Sequence, residues 1–295
     1  MVRNRTVGTG GVLTHITGQA GLDVIVQGTA TVDASGAISV AGKGQVSEQG
    51  TGAGGNGTSY GGGAGYGGFG AGAIGGSVGG VAYGSILQPA DLGSGGGKGA
   101  ANLGGPGGGC LRLQVAGALT VDGSLSADGT TVSVTGGGGS GGSIWLTAGS
   151  LAGSGAISAD GATPSSANAG SGAGGRIAIY FGTNAFAGAV SAKGGIHHVG
   201  GAGTIYTRSE SSSYGSLLVD NGALSGALTP ITSPEAFNLT ISGSAQAYAD
   251  APLVLHDLRI SSAGFLTHIT CPTGLDVTVP GTASVDPPGP LSLSV

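Results

Sequence analysis

Residues 108–115 read GGCLRLQV, 141–148 GGSIWLTA, 174–181 GGRIAIYF and 202–208 AGTIYTR. Aligned on Cys110, Ser143, Arg176 and Thr204, the four rows recur at steps of 33, 33 and 28 residues. A near-constant period of this size marks stacked structural units. Within each row the apolar residues alternate, the period-two signature of a strand. Leu111, Leu113, Val115, Ile144, Leu146, Ile177, Ile179, Phe181 and Ile205 form an inward set. Arg112, Gln114, Trp145, Thr147, Ala178, Tyr180, Tyr206 and Arg208 form the outward one. If the rows stack as parallel strands about 4.8 Å apart, the outward set becomes a vertical strip facing solvent.

A second phrase accompanies the rows: LSADG at 125–129, ISADG at 157–161 and VSAKG at 190–194. Each repeat therefore carries at least two strands, one opening on the GG phrase and one ending at the SADG turn. Gly-rich loops at 136–142 and 169–175 join them. No stretch carries the i, i+3, i+4, i+7 apolar pattern of a helix without intervening glycine. The expectation is an all-β fold, a right-handed parallel β-helix (solenoid). A β-sandwich gives no reason for a 33-residue self-similarity.

From 45 to 108 the alternation dissolves into runs such as GTGAGGNGTSYGGGAGYGGFGAGAIGG. This is a Gly-rich excursion, either a mobile loop or extended polyglycine strands, which pack closely because they lack side chains. Tyr60, Tyr66, Phe69 and Tyr83, each beside glycines, favour the packed state. Residues 264–293 then repeat 11–40, with 18 of 30 positions identical at an offset of 253, including His15/His268 and Asp23/Asp276. The expected organisation is a single β-helix domain over 1–295: N-terminal coils (1–44), excursion (45–108), central repeat coils (109–215), C-terminal coils (216–262) and the opening of a second copy (263–295). The parent protein is expected to be a tandem-repeat or multidomain protein.

Composition narrows the function classes. There are 69 glycines and 11 prolines in 295 residues, a share usually seen in low-complexity chains. Yet only 8% of residues are charged and the mean hydropathy is +0.29, the wrong balance for disorder maintained by charge. Nine Lys and Arg against fourteen Asp and Glu leave no basic footprint for nucleic acid or acidic lipid. No apolar run is long enough to insert in a membrane, and MVRNRTVG lacks a signal core. Abundant Ser, Thr and Gly with scarce Lys and Glu favour an extracellular setting, secreted or at the cell surface. Cys110 and Cys271 make at most one bridge, so this is no disulfide scaffold.

The phrases GGSIWLTAGSLAGSGAISADG, GGRIAIYF and GAGTIYTR resemble the glycine-rich β-helix repeats of large secreted bacterial surface proteins, over roughly residues 108–220. In layout the chain is also similar to β-helix carbohydrate-binding modules and pectin-lyase-like enzymes. The resemblance implies the fold and an extracellular location; it brings no catalytic residues with it.

The outward strip is the first candidate site. Neutral polysaccharides are held by aromatic rings stacked on sugar faces with polar groups at the hydroxyls. Trp145, Tyr180 and Tyr206 would stack, and Arg112, Arg208, Gln114 and Thr147 would bond. The leading expectation is thus a non-catalytic carbohydrate-binding module for a linear, xylan-like polysaccharide. The plain alternative is that the excursion covers this face and the aromatics are packing. The second candidate is the SADG column. Asp128 and Asp160 in adjacent turns are weak candidates for Ca²⁺, with Lys193 or His197 and His198 as a base, as in a lyase; Asp before Gly is otherwise a turn signal. A structural adhesin or surface-stalk repeat is the alternative function, and a calcium-dependent lyase or hydrolase stands third. His197–His198 lacks further ligands at metal spacing, neither cysteine has a nucleophile's neighbours, and GGGKGA at 95–100 is no phosphate loop.

Overall fold

A computed structural model describes residues 3–16, 20–232, 235–249, 251–268 and 274–286. The strands are β1 (Arg5–Val7), β2 (Val12–Leu13), β3 (Leu22–Val26), β4 (Ala30–Val32), β5 (Ala37–Ser39), β6 (Cys110–Val121) and β7 (Ser124–Ser126). They continue as β8 (Ser143–Gly153), β9 (Ala156–Ser158), β10 (Arg176–Phe186), β11 (Ala189–Ser191), β12 (Thr204–Ser209), β13 (Gly215–Asp220) and β14 (Leu228–Pro230). The last are β15 (Phe237–Ser242), β16 (Gln246–Tyr248), β17 (Leu253–Val254), β18 (Leu258–Ile260), β19 (Phe265–Thr267), β20 (Val277–Thr278) and β21 (Ala283–Val285). The fold is all-β, with no helix among the described residues and with large, mostly parallel sheets.

The four rows pair in the register their spacing predicts. Cys110, Ser143, Arg176 and Thr204 are aligned Cα partners on β6, β8, β10 and β12, all parallel. Leu111, Ile144, Ile177 and Ile205 consequently form one buried column and Leu113, Leu146 and Ile179 the next. Facing them, β5, β7, β9 and β11 pair in parallel and align Ile38, Leu125, Ile157 and Val190. Side chains of both sets of strands meet in one hydrophobic core. At roughly 25 cal/mol per Å² of apolar surface removed from water, such columns are the main favourable term. The N-terminal strands join these two sets: β3 aligns Leu22 with Leu111, and β5 aligns Ile38 with Leu125. The excursion separates these partners in sequence and hides them from a 33-residue period.

The excursion is packed, and it orders the glycine loops with it. Gly61, Gly62 and Gly63 donate in turn to the carbonyls of Thr135, Gly55 and Ala71 at 2.8–2.9 Å. Gly95, Gly96 and Gly97 donate to Gln49, Gly105 and Gly62, each at 2.9 Å. Successive donors thus reach different neighbouring segments, the geometry of extended chains with three residues per turn lying side by side. Glycine is required here for closeness. A Cβ on Gly63 would collide with the Ser171 carbonyl, and one on Gly137 with that of Gly62. The loops at 136–142 and 169–175 belong to the same assembly, since Gly138 donates to Gly170 and Gly170 to Gly61.

The run of parallel pairing ends at β12. β13 runs antiparallel to it, setting Ile205 against Leu218 and Tyr206 against Leu217. From there β13, β15, β18 and β21 are parallel to one another within the same eleven-stranded sheet. Residues directly opposed across an antiparallel pair share a face, so Leu217 lies on the side of Tyr206. Leu217, Val219, Leu239, Ile241 and Leu258 build a second core there, against β14, β16 and β19. One sheet therefore carries two cores on opposite faces.

Among the described residues the duplicated segment forms one matching strand pair at each end. β1 pairs β4 through Arg5↔Ala30, Thr6↔Thr31 and Val7↔Val32. β18 pairs β21 through Leu258↔Ala283, Arg259↔Ser284 and Ile260↔Val285, each pair displaced by 253 residues. The turn bonds match as well: Gly28 N to Arg3 O corresponds to Gly281 N to His256 O, and Asp33 N to Val7 O corresponds to Asp286 N to Ile260 O. The equivalence extends to 3–10 and 256–263, where sequence identity is too low to reveal it.

Candidate functional site: the outward strip

The outward residues fall into two columns. The first runs Asp23, Arg112, Trp145, Ala178, Tyr206, Leu217; the second runs Ile25, Gln114, Thr147, Tyr180, Arg208. Asp23 and Ile25 extend the strip beyond the residues picked out from the rows. Their signal was the alternation in LDVIV, whose outward positions match those of LRLQV.

The strip changes character along its length. At the β3 and β6 end it is open. Arg112 lies 4.6 Å above the Trp145 ring and 3.6 Å from Asp23, with 42% and 53% of the two charged side chains exposed. With its amide oriented to satisfy both groups, Gln114 accepts from Arg112 Nε at 3.2 Å and Nη2 at 3.3 Å. A shallow groove of about 180 Å³ lies beside these residues, lined by Ile25, Val26, Gln27, Gln114, Val115, Ala116 and Thr147.

At the β10 and β12 end the strip is closed, which corrects the expectation that all the aromatics face solvent. Tyr206 and Ala178 are fully buried, and Trp145 and Tyr180 pack against the second core. Two structures cover them. The excursion lays Ile86 and Leu87 on this face, and Tyr180 donates its hydroxyl to the Leu87 carbonyl at 2.7 Å. The chain reversal then brings Leu217 and the C-terminal strands over Tyr206. The Tyr206 hydroxyl donates to Glu235 Oε1 at 2.9 Å, and Arg208 Nη1 meets the same oxygen at 3.1 Å. Burial first, then Glu235, pushes the Tyr206 phenol up to about 12. Of the expected sugar-binding residues, Arg112, Gln114, Thr147 and part of Trp145 remain on an open surface; Tyr206 does not, and Tyr180 and Arg208 already have protein partners.

The excursion is fastened where the rows begin. Ser143 Oγ donates to Asp91 O at 2.6 Å and therefore accepts from the Tyr66 hydroxyl at 2.5 Å. Arg176, 2% exposed, donates from Nε to Tyr83 O at 2.8 Å and from Nη1 to Thr204 Oγ1 at 3.1 Å, its guanidinium 5.7 Å from the Tyr66 ring. Burial lowers the Arg176 pKa and pushes Tyr83 up to about 12. A buried charge is costly unless it is hydrogen-bonded; the bond from Arg176 to Tyr83 O and that from Tyr66 to Ser143 tie the excursion to the rows.

The SADG column is a chain of turn caps. Asp128 accepts from the Asp160 amide at 2.7 Å and from the Ser126 and Ser158 hydroxyls at 2.7 and 2.9 Å. Asp160 accepts from the Lys193 amide at 2.8 Å and Ser191 at 3.0 Å. Asn221, unforeseen from the phrase, continues it by accepting from Gly194 N at 2.8 Å. The two aspartates each satisfy the backbone of the next turn, which is what Asp before Gly does, and Asn221 satisfies that of the preceding one. Both oxygens of Asp128 and of Asp160 thereby accept hydrogen bonds within the column. Among the described residues no group of three His, Cys, Asp or Glu is placed to hold a metal. His197 places Nδ1 3.1 Å from Pro164 O, Lys193 offers Asp160 its amide, and His198 sits at φ 37° in the turn. Cys110 is buried and its thiol is pushed up to about 11 by that burial, far from a thiolate at neutral pH; Cys271 lies outside the described residues.

No family model, no curated protein and no solved structure matches the chain.

Proposed function

We propose that the chain is a structural repeat unit of a tandem array, an extracellular stalk or spacer of the surface-protein kind rather than a sugar-binding module. In this reading the N-terminal core is a right-handed parallel β-helix, the hand that parallel crossovers almost always take. The observation that carries the proposal is the recurrence of one strand pairing at both ends, β1 with β4 and β18 with β21, with the same register and the same turn bonds. The closure of the strip supports it from the other side, since the aromatic end that would stack on sugars is core. Affinity electrophoresis across neutral polysaccharides tests the reading: no glycan should retard the chain.

A second reading rests on the open end alone. Arg112 over Trp145, beside Gln114, Thr147 and the shallow groove, presents a ring edge and hydrogen-bonding groups suited to one or two sugar residues of a linear polysaccharide. Retardation by a glycan that disappears in Trp145→Ala supports this reading and overturns the first.

A further inference from the structure

The two copies of the repeated coil are each seen with a different neighbour. β4 is covered on its following side by β6, Thr31 aligning with Thr120, and β3 is covered by the same strand through Leu22↔Leu111. Their counterparts β21 and β20 have no strand on that side among the described residues. In the other direction β18 is covered by β15 and β19 by β16, whereas β1 and β2 end their sheets. Burial tracks coverage. Ala30 and Val32 are 6% and 1% exposed, while Ala283 is exposed and Val285 half-buried. Conversely Leu266 is 8% exposed and Phe265 half-buried, while their counterparts Leu13 and Val12 are half-buried and 63% exposed. Among the described residues, each copy lacks the neighbour the other possesses.

We infer that the β20–β21 edge is the docking surface for β6 of a second copy of this unit, in the register that β6 adopts on β3 and β4. This docking rests on the proposed role as a structural repeat and names the partner that role requires. It fixes the pairing: Ser284 lies beside Thr120 of the following copy, and Ala283 beside its Leu119. It also fixes the side on which successive cores fall. Val7 and Val32 belong to the first core, but their counterparts Ile260 and Val285 pack on the second, across the sheet. The next copy's first core is therefore the continuation of this copy's second. One uninterrupted sheet runs through the array, with its cores alternating between faces and its strand direction reversing once per unit.

The test is a chain in which residues 1–293 are joined directly to residues 41–295 of a second copy. Neighbouring parallel strands lie about 4.8 Å apart, within disulfide range. Ser284→Cys in the first copy and Thr120→Cys in the second should then form a disulfide on mild oxidation, mapped by mass spectrometry. Thr31→Cys with Thr120→Cys in the single chain is the positive control. Hydrogen exchange on the unsubstituted two-unit chain gives an independent reading: amides at 282–286 of the first copy should slow by at least about tenfold relative to the single chain, as edge opening is suppressed. Absence of the disulfide while the control forms, or unchanged exchange at 282–286, overturns the docking. Loss of the structural role itself shows separately, as glycan retention.

Discussion

Tyr206 and Leu217 face each other across the antiparallel pairing of β12 with β13, and both are buried. This contact turns the outer face of one core into the inner face of the next. Tyr206→Ala should therefore behave as a core truncation, costing about 3–5 kcal/mol in urea denaturation. Tyr206→Phe, which deletes only the bond to Glu235, should cost about 0.5–1.5 kcal/mol. Equal stability of all three proteins would show that the ring is not core.

The glycine assembly makes a sharper demand. In Gly63→Ala the new methyl meets the Ser171 carbonyl, a backbone atom that cannot swing aside, whereas in Gly8→Ala it meets only the end of Asp33 at 3.9 Å. The first should lower stability by at least about 1–3 kcal/mol, the usual cost of overpacking, and the second should be near neutral. Matched melting temperatures would refute close packing in the excursion.

How much of this could be read beforehand depended on the range of the signal. The rows at 108–208 give strand register directly, because the alternation of Leu111, Leu113 and Val115 recurs with a constant step. The excursion's packing was hinted at by Tyr66 and Tyr83, and both serve as anchors. What could not be read was the reversal after Arg208: Leu217, Val219 and Leu239 alternate alike whether the pairing is parallel or antiparallel, so the pattern carries no direction. The alternation alone places Tyr206 toward solvent. Asp23 is within reach, since LDVIV has the rows' alternation, but eighty-four intervening residues break the period.

The Asp column sets a pH dependence. Burial, with Asp128 adding to it, holds the Asp160 carboxyl above its ordinary value. The folded state therefore binds that proton more tightly than the unfolded chain. Its contribution is fully present below the ordinary aspartate range and is lost as pH rises through the raised folded value. Asp160→Asn should flatten that part of the stability–pH curve. A wild-type curve whose slope in this window survives the substitution would assign it to another group.

Since the carboxylates of Asp128 and Asp160 already accept hydroxyl and amide protons, millimolar Ca²⁺ should leave the melting temperature unchanged and chelators should not lower it. A rise with calcium that vanishes in Asp128→Ala would restore the metal site.

The most direct measurement is the length added per unit. From β4 to its counterpart β21 the sheet order is β4-β6-β8-β10-β12-β13-β15-β18-β21, eight steps of about 4.8 Å, or about 38 Å. Small-angle X-ray scattering of one-, two- and three-unit chains should show maximum dimensions growing by about 38 Å per unit with a constant cross-section. Unequal increments, or the profile of separate bodies on a flexible tether, would contradict a continuous sheet.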